Sequence, residues 1–275
     1  MVQKMTIKFI GKALNALAVI SPAYAGRVGF NVFCNPFRAK LKPYQIRFLE
    51  TAEKFAIDID HYKVQCYKWG NGSKKILFVH GWASHSFRWK HYIDYFKEKD
   101  FTVYAFDARG HGLSEGKYLN LLINAGYIKE VINNIGGVDA AVCHSFGGFS
   151  IAYLLKHFPE TKIAKTVIMG APGEAKHFFS FYQYKLKLSN KTIKAIIDRF
   201  KKNLNNTPEY FSSPAFAKEI KIPCLIIHDE NDEEAPVETA IALHKNWSGS
   251  SLILTKGLGH HLKSKELIID VEKFI

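Results

Sequence analysis

From residue 62 onward the apolar positions alternate between two rhythms. Short apolar runs at residues 76–79, 102–106, 139–143, 164–169, 223–228 and 252–254 are of the kind that fill buried strands. Residues 62–69 read as one more strand, closed by the turn residues Asn71-Gly72. Between these runs, residues 87–99, 118–135, 147–157 and 264–275 repeat their apolar positions at helical spacing. In the first of them Trp89, Ile93 and Phe96 share one face. Strands alternating with helices predict a mostly parallel sheet covered on both faces. In such sheets ligands gather at the carboxyl ends of the strands.

One stretch breaks the alternation. Residues 174–218 separate two strands and carry the aromatic run His177-Phe178-Phe179-Ser180-Phe181-Tyr182-Gln183-Tyr184, then a lysine-rich helical pattern over 191–203. A connection this long is usually a lid or a functional insertion, so a small helical cap is expected. The start of the chain has its own pattern. Lys4, Lys8 and Lys12 are spaced to share one helix face, with Ile7, Ile10, Leu14, Leu17 and Ala18 on another. An amphipathic helix, retained in the protein, is the favoured reading, and it could rest on a membrane surface. The alternative is a secretory signal cleaved near Ala25, although Asn15 interrupts its apolar stretch. Asn35-Pro36 and Lys42-Pro43 punctuate the connecting region after it, and residues 45–55 read as a short helix. The expected organisation is an N-terminal helical extension over 1–58, a core over 59–173 and 219–275, and a cap over 174–218.

Composition narrows the class. The 275 residues are 47% hydrophobic and 23% charged, which is ordinary for a globular chain and argues against disorder. No apolar run reaches the roughly 18 residues that would span a bilayer. The four cysteines, Cys34, Cys66, Cys143 and Cys224, form no close pair, so neither a disulfide framework nor a zinc ribbon is indicated. They read as isolated thiols of a reducing compartment, and the chain as cytoplasmic, with membrane contact through the first helix as one option. The net charge of +13 is dispersed without a basic block, and no nucleic-acid reader motif accompanies it, so no nucleic-acid partner is expected.

The chemistry is concentrated in loops that follow strands. Cys143-His144-Ser145-Phe146-Gly147-Gly148 joins a strand to a helix, the setting of a nucleophile elbow. There the residues two before and two after the serine must be small, and Cys143 and Gly147 are. A hydroxyl attacks poorly until a base takes its proton. His260, in Gly257-Leu258-Gly259-His260 after the last strand, is the expected base, with His261 as the alternative. The imidazole then needs a carboxylate to orient it. Asp232 is preferred from its loop position, Asp229 is second, and Glu174 is third. An oxyanion would be held by the backbone N–H groups of Phe146, at a helix start, and of Trp82 in His80-Gly81-Trp82.

His80-Gly81-Trp82, the run Asp107-Ala108-Arg109-Gly110-His111-Gly112-Leu113-Ser114, the Ser145 elbow, the Asp232 loop and Gly259-His260 occur in the order seen in the α/β-hydrolase family, which residues 60–275 resemble. The resemblance implies an α/β-hydrolase fold, with an eight-stranded, mostly parallel sheet and a cap after the sixth strand. It also implies that residues 107–114 are scaffolding near the site. Cys143 and Asp229 depart from the residues the family usually has there. The implied activity is a serine hydrolase cleaving a carboxylic ester or thioester through Ser145, Asp232 and His260. The expected substrate is a small, apolar acyl ester, and neither a cofactor nor a metal is required. Carbon–carbon bond hydrolysis, amide hydrolysis, cofactor-free haloperoxidation and a non-catalytic binding role are the alternatives.

Overall fold

The computed structural model describes residues 2–275 and, in the first helix, side chains from Phe9 onward. The side chains of Lys4, Ile7 and Lys8, part of the amphipathic pattern, lie outside the described residues. In chain order the helices are α1 (Val2–Ile20), α2 (Pro22–Phe33), α3 (Pro43–Leu49), α4 (Lys90–Phe96), α5 (Leu121–Asn134), α6 (Phe146–His157), α7 (Ala175–Leu186), α8 (Asn190–Leu204), α9 (Ser213–Ala217), α10 (Val237–Asn246) and α11 (Lys265–Phe274). The strands are β1 (Glu53–Ile59), β2 (Tyr62–Trp69), β3 (Lys74–Val79), β4 (Phe101–Phe106), β5 (Val138–His144), β6 (Ile163–Met169), β7 (Cys224–Asp229) and β8 (Ser250–Thr255). They divide into two compact units, Met1–Asn35 with Glu174–Ser212, and Pro36–Gly173 with Ser213–Ile275.

The larger unit holds a single eight-stranded sheet in the order β1-β2-β4-β3-β5-β6-β7-β8. β1 and β2 run antiparallel to their neighbours, and all other pairs are parallel. This is the expected α/β-hydrolase architecture. Period-two alternation sends Phe78 and Val167 to one face, where they join Trp89, Ile93 and Phe96 around α4, and Leu267 and Val271 of α11, in one apolar core. Val79 and Ile168 point to the opposite face, where glycines at the start of α6 lie against them. The chain leaves β3 toward β4 on one side and leaves β5 toward β6 on the other. Adjacent strands whose connections diverge in this way open a crevice at their carboxyl ends.

Three local readings need correction. The helix expected over residues 45–55 ends at Leu49, and Glu53–Ile59 is a strand. Phe55, Ile57 and Ile59 alternate at period two, and the strand pairs in full register with β2 across the two-residue turn Asp60-His61, both at positive φ. Its backbone is satisfied by a partner that local helical spacing does not reveal. The helix expected over 87–99 is a 3₁₀ turn at Ser86–Trp89 followed by α4. α10 has no counterpart among the expected elements, because its buried stripe of Thr239, Ala240 and Leu243 is narrow and gives a weak periodic signal.

The smaller unit is helical. α2 crosses α8 at glycine contacts: a Cβ on Gly26 would lie 2.3 Å from the Ala195 carbonyl oxygen, and one on Gly29 would lie 2.5 Å from Ile196 Cδ1. α1 passes equally close to the end of α7, where a Cβ on Gly11 would fall 1.8 Å from the Leu186 carbonyl oxygen. Asn15, the residue that interrupts the apolar stretch of α1, holds the α7–α8 turn. Its amide donates to Lys187 O at 3.0 Å, and its carbonyl accepts from Ser189 N and the Thr192 hydroxyl at 2.9 and 2.8 Å. Within the aromatic run, Phe179 stacks on Phe33 at 4.7 Å and meets Phe200 edge-on at 5.0 Å. Part of that run is therefore inter-helix packing, while Phe181 and Tyr184 are exposed. Ala25, beside the cleavage alternative, is buried inside α2. Among the described residues no helix is long and apolar enough to cross a membrane.

Candidate active site

Ser145 sits between β5 and α6 with φ 51° and ψ −120°, a conformation that L-residues hold only under strain. The surroundings enforce it. The Ser145 amide donates to Met169 O at 2.8 Å, anchoring the turn to β6. A Cβ on Gly147 would come within 2.7 Å of the His80 carbonyl oxygen, and one on Gly81 within 2.9 Å of Ser145 Cβ. Backbone therefore meets backbone between the elbow and the loop after β3, and side chains at these two glycines would push them apart. Cys143, where the related family usually has glycine, is fully buried in β5.

The structure brings Ser145, His260 and Asp232 together from three separate loops. His260 Nε2 lies 3.0 Å from Ser145 Oγ, and His260 Nδ1 lies 2.8 Å from Asp232 Oδ2. The other carboxylate oxygen of Asp232 accepts from the amides of Glu234 and Ala235 at 2.8 and 2.9 Å. Burial alone would raise the pKa of this carboxyl, but the hydrogen bonds from His260 and the two amides hold it below the ordinary value. An ionised Asp232 can only accept, so Nδ1 of His260 donates to it and Nε2 faces the serine hydroxyl.

The competing candidates have other partners. His261 is exposed, and its carbonyl accepts from Arg88 at 3.1 Å. Glu174 precedes α7 and pairs with Lys176. Asp229 is engaged with backbone: its oxygens accept from Asn231 N and Leu258 N at 2.9 and 2.8 Å, and from the Thr255 hydroxyl at 2.7 Å. These bonds hold its pKa down at about 2 against the opposing effect of burial. Asp229 thus ties the base of the loop that carries His260. Trp82 and Phe146 flank Ser145, with their rings edge to face at 5.2 Å, and Phe146 is the first residue of α6.

Supporting residues surround these groups; His144 carried no role of its own in the sequence reading, whereas Asp107 and His111 belong to the run 107–114 expected to be scaffolding. His144 is buried beneath His260, with ring centroids 4.9 Å apart, and its Nε2 donates to the His260 carbonyl at 2.7 Å. His80 Nε2 accepts from Ala108 N at 2.9 Å, and its Nδ1 donates to Gly81 O at 2.7 Å. His111 Nε2 accepts from Ala83 N at 3.0 Å. Burial lowers all three histidines, His80 to about 4, His111 to about 3 and His144 well below the ordinary value, so each is a neutral ring of fixed tautomer. Asp107 gathers Ser86 N, the Ser86 hydroxyl, Leu113 N and the Tyr67 hydroxyl at 2.7–3.0 Å around one fully buried carboxylate. The only local signal for this network was its position after strands; the partners come from distant segments.

This fold and this arrangement of loops define an α/β-hydrolase. The chain belongs to the serine aminopeptidase S33 family of that fold, whose model matches residues 70–215. It is 32% identical over 109 residues to a bifunctional esterase/perhydrolase of Acinetobacter calcoaceticus, a match covering 38% of this chain and 39% of that protein. A non-heme haloperoxidase of Rhodococcus erythropolis is 32% identical over 106 residues, covering 38% of each. The chain thus matches about two fifths of the length of these relatives. The crystal structure of a bromoperoxidase from Bacillus anthracis superposes with a TM-score of 0.64 at 18% identity, over 81% of this chain and 99% of that one, a likeness of fold.

Proposed function

We propose that the protein is a serine hydrolase that cleaves a carboxylic ester through an acyl-enzyme. The observation that carries this reading is the continuous line Ser145 Oγ–His260–Asp232, with separations of 3.0 and 2.8 Å. Ser145 Oγ attacks the acyl carbonyl as its proton passes to His260 Nε2, and Asp232 stabilises the imidazolium that forms. The amides of Phe146 and Trp82 donate to the developing oxyanion, an interaction whose loss typically costs about 3 kcal/mol of transition-state stabilisation. His260 returns the proton to the departing alcohol, and water, activated by the same ring, releases the acid. The half-buried rings of Trp82 and Phe146 beside the serine favour an apolar acyl or aryl group.

A second reading shares the acyl-enzyme. Hydrogen peroxide attacking in place of water would release a peracid, and the esterase/perhydrolase and haloperoxidase relatives favour it. Both readings are tested by fluorophosphonate labelling, peptide mapping and turnover of short-chain nitrophenyl esters with and without peroxide. Label at Ser145, absent in Ser145→Ala, with ester turnover lowered roughly a million-fold in that variant, is the expected result. Turnover surviving Ser145→Ala in rigorously purified protein would sink the proposal.

A further inference from the structure

We propose that the outward face of α1 and the corner between α1 and α2 dock on an anionic membrane surface. α1 is apolar on two sides. Leu14 and Ala18 are buried within the helical unit, and Gly11 and Asn15 lock the helix in one rotation against the end of α7 and the α7–α8 turn. The opposite face, Phe9, Lys12, Ala13, Ala16, Val19 and Ile20, recurs at helical spacing and is exposed. Phe9 is 74% exposed, Val19 72% and Ile20 83%, and just past the corner Tyr24 is 53% exposed. A rotation fixed by tight glycine contacts and an asparagine cannot turn these residues inward, so they remain a row of large apolar groups facing out. Large exposed apolar patches mark interaction sites.

Charge decides what covers the patch. The helical unit carries twelve lysines and arginines against three acids, a net +9 of the +13 for the whole chain. No acidic residue precedes Glu50. Lys12 lies in the apolar face and Arg27 is exposed on α2. Burying this face against a second copy would bring two strongly positive units together, which like-charge repulsion opposes. An anionic bilayer offers both an attracting charge and an apolar layer for the side chains, and among the described residues no helix, α1 included, is long and apolar enough to cross it. The helix therefore lies in the interface with its far side held by protein. This inference does not depend on the hydrolase reading.

The test uses the purified full chain in co-sedimentation with equimolar phosphatidylglycerol–phosphatidylcholine vesicles and with pure phosphatidylcholine vesicles. The expected result is at least about tenfold stronger partition onto the anionic vesicles, lost in about 0.5 M salt. Phe9→Gln, Val19→Gln and Ile20→Gln together, which leave the charge unchanged, should weaken that binding about tenfold or more, as should Lys12→Gln with Arg27→Gln. Circular dichroism melting and turnover of a soluble short ester should be unaltered in these variants. Absence of wild-type binding to anionic vesicles, or equal binding to both vesicle types, overturns the proposal. So does a concentration-dependent dimer, seen by analytical ultracentrifugation without vesicle binding, that the triple variant splits.

Discussion

The 3.0 Å separation of Ser145 Oγ and His260 Nε2 is set in part by residues beside the loop that carries the histidine. His144 donates to the His260 carbonyl and Arg88 to the His261 carbonyl, so two consecutive peptide units of a glycine-flanked loop are pinned from below. Misplacing a catalytic group by about 1 Å can cost a hundredfold in rate. His144→Ala should therefore lower kcat by about tenfold or more with KM little changed. His144→Gln, whose amide can donate to the same carbonyl, should restore most of the loss. Steady-state kinetics of both variants would decide, and equal damage by both would mean that His144 acts only as core packing. His260→Ala should abolish turnover and His261→Ala should not, because His261 is exposed and does not meet Ser145.

Secondary-structure elements place these side chains through contacts that tolerate no Cβ. The loop after β3 can reach the elbow only because position 81 has no side chain, and α6 can begin where it does only because position 147 has none. The same device builds the helical unit, where α2 meets α8 at Gly26 and Gly29. Gly26→Leu should force the helices apart and cost roughly 1–3 kcal/mol. Urea unfolding would report the loss, and limited proteolysis should cut first within α2 or α8. An unchanged unfolding midpoint would show that the two helices do not contribute to cooperative stability.

Acid stability is a property of the entire larger unit, because it sums over groups in several loops. His80, His111 and His144 are held neutral by burial, far below the ordinary value of 6.5. Below pH 6.5 the unfolded chain takes up protons that the folded chain cannot, so stability must fall as pH drops from 6.5 toward 4. Each group contributes up to about 1.4 kcal/mol per pH unit over that range. Asp229, whose pKa is pushed down to about 2, adds its own loss only below about pH 4, where the unfolded carboxyl protonates. Urea midpoints measured at pH 7.5, 5.5 and 4.5 should fall steadily, and His111→Gln should flatten the slope. A flat profile between pH 6.5 and 4.5 would contradict neutral burial of these rings.

The rhythm of apolar runs and helical stripes was enough to predict a parallel sheet covered on both faces, because buried strands and amphipathic helices leave different local periods. The order of the loop motifs likewise pointed to Ser145, Asp232 and His260, since each follows a strand and chemistry collects at strand ends. Local pattern failed where the stabilising partner is distant. β1 owes its conformation to pairing with β2, α10 to a narrow contact stripe, and Asn15 to the α7–α8 turn it holds. Loop position already favoured Asp232 over Asp229, but the physical reason for the preference lies in the fold. Both aspartates lie at the end of β7 or just past it, and only the folded loop directs one to the imidazole and the other to the amides beneath it. Period and composition are properties of neighbours in the chain, whereas hydrogen-bond direction, fixed tautomers and glycine crossings arise between segments brought together by folding.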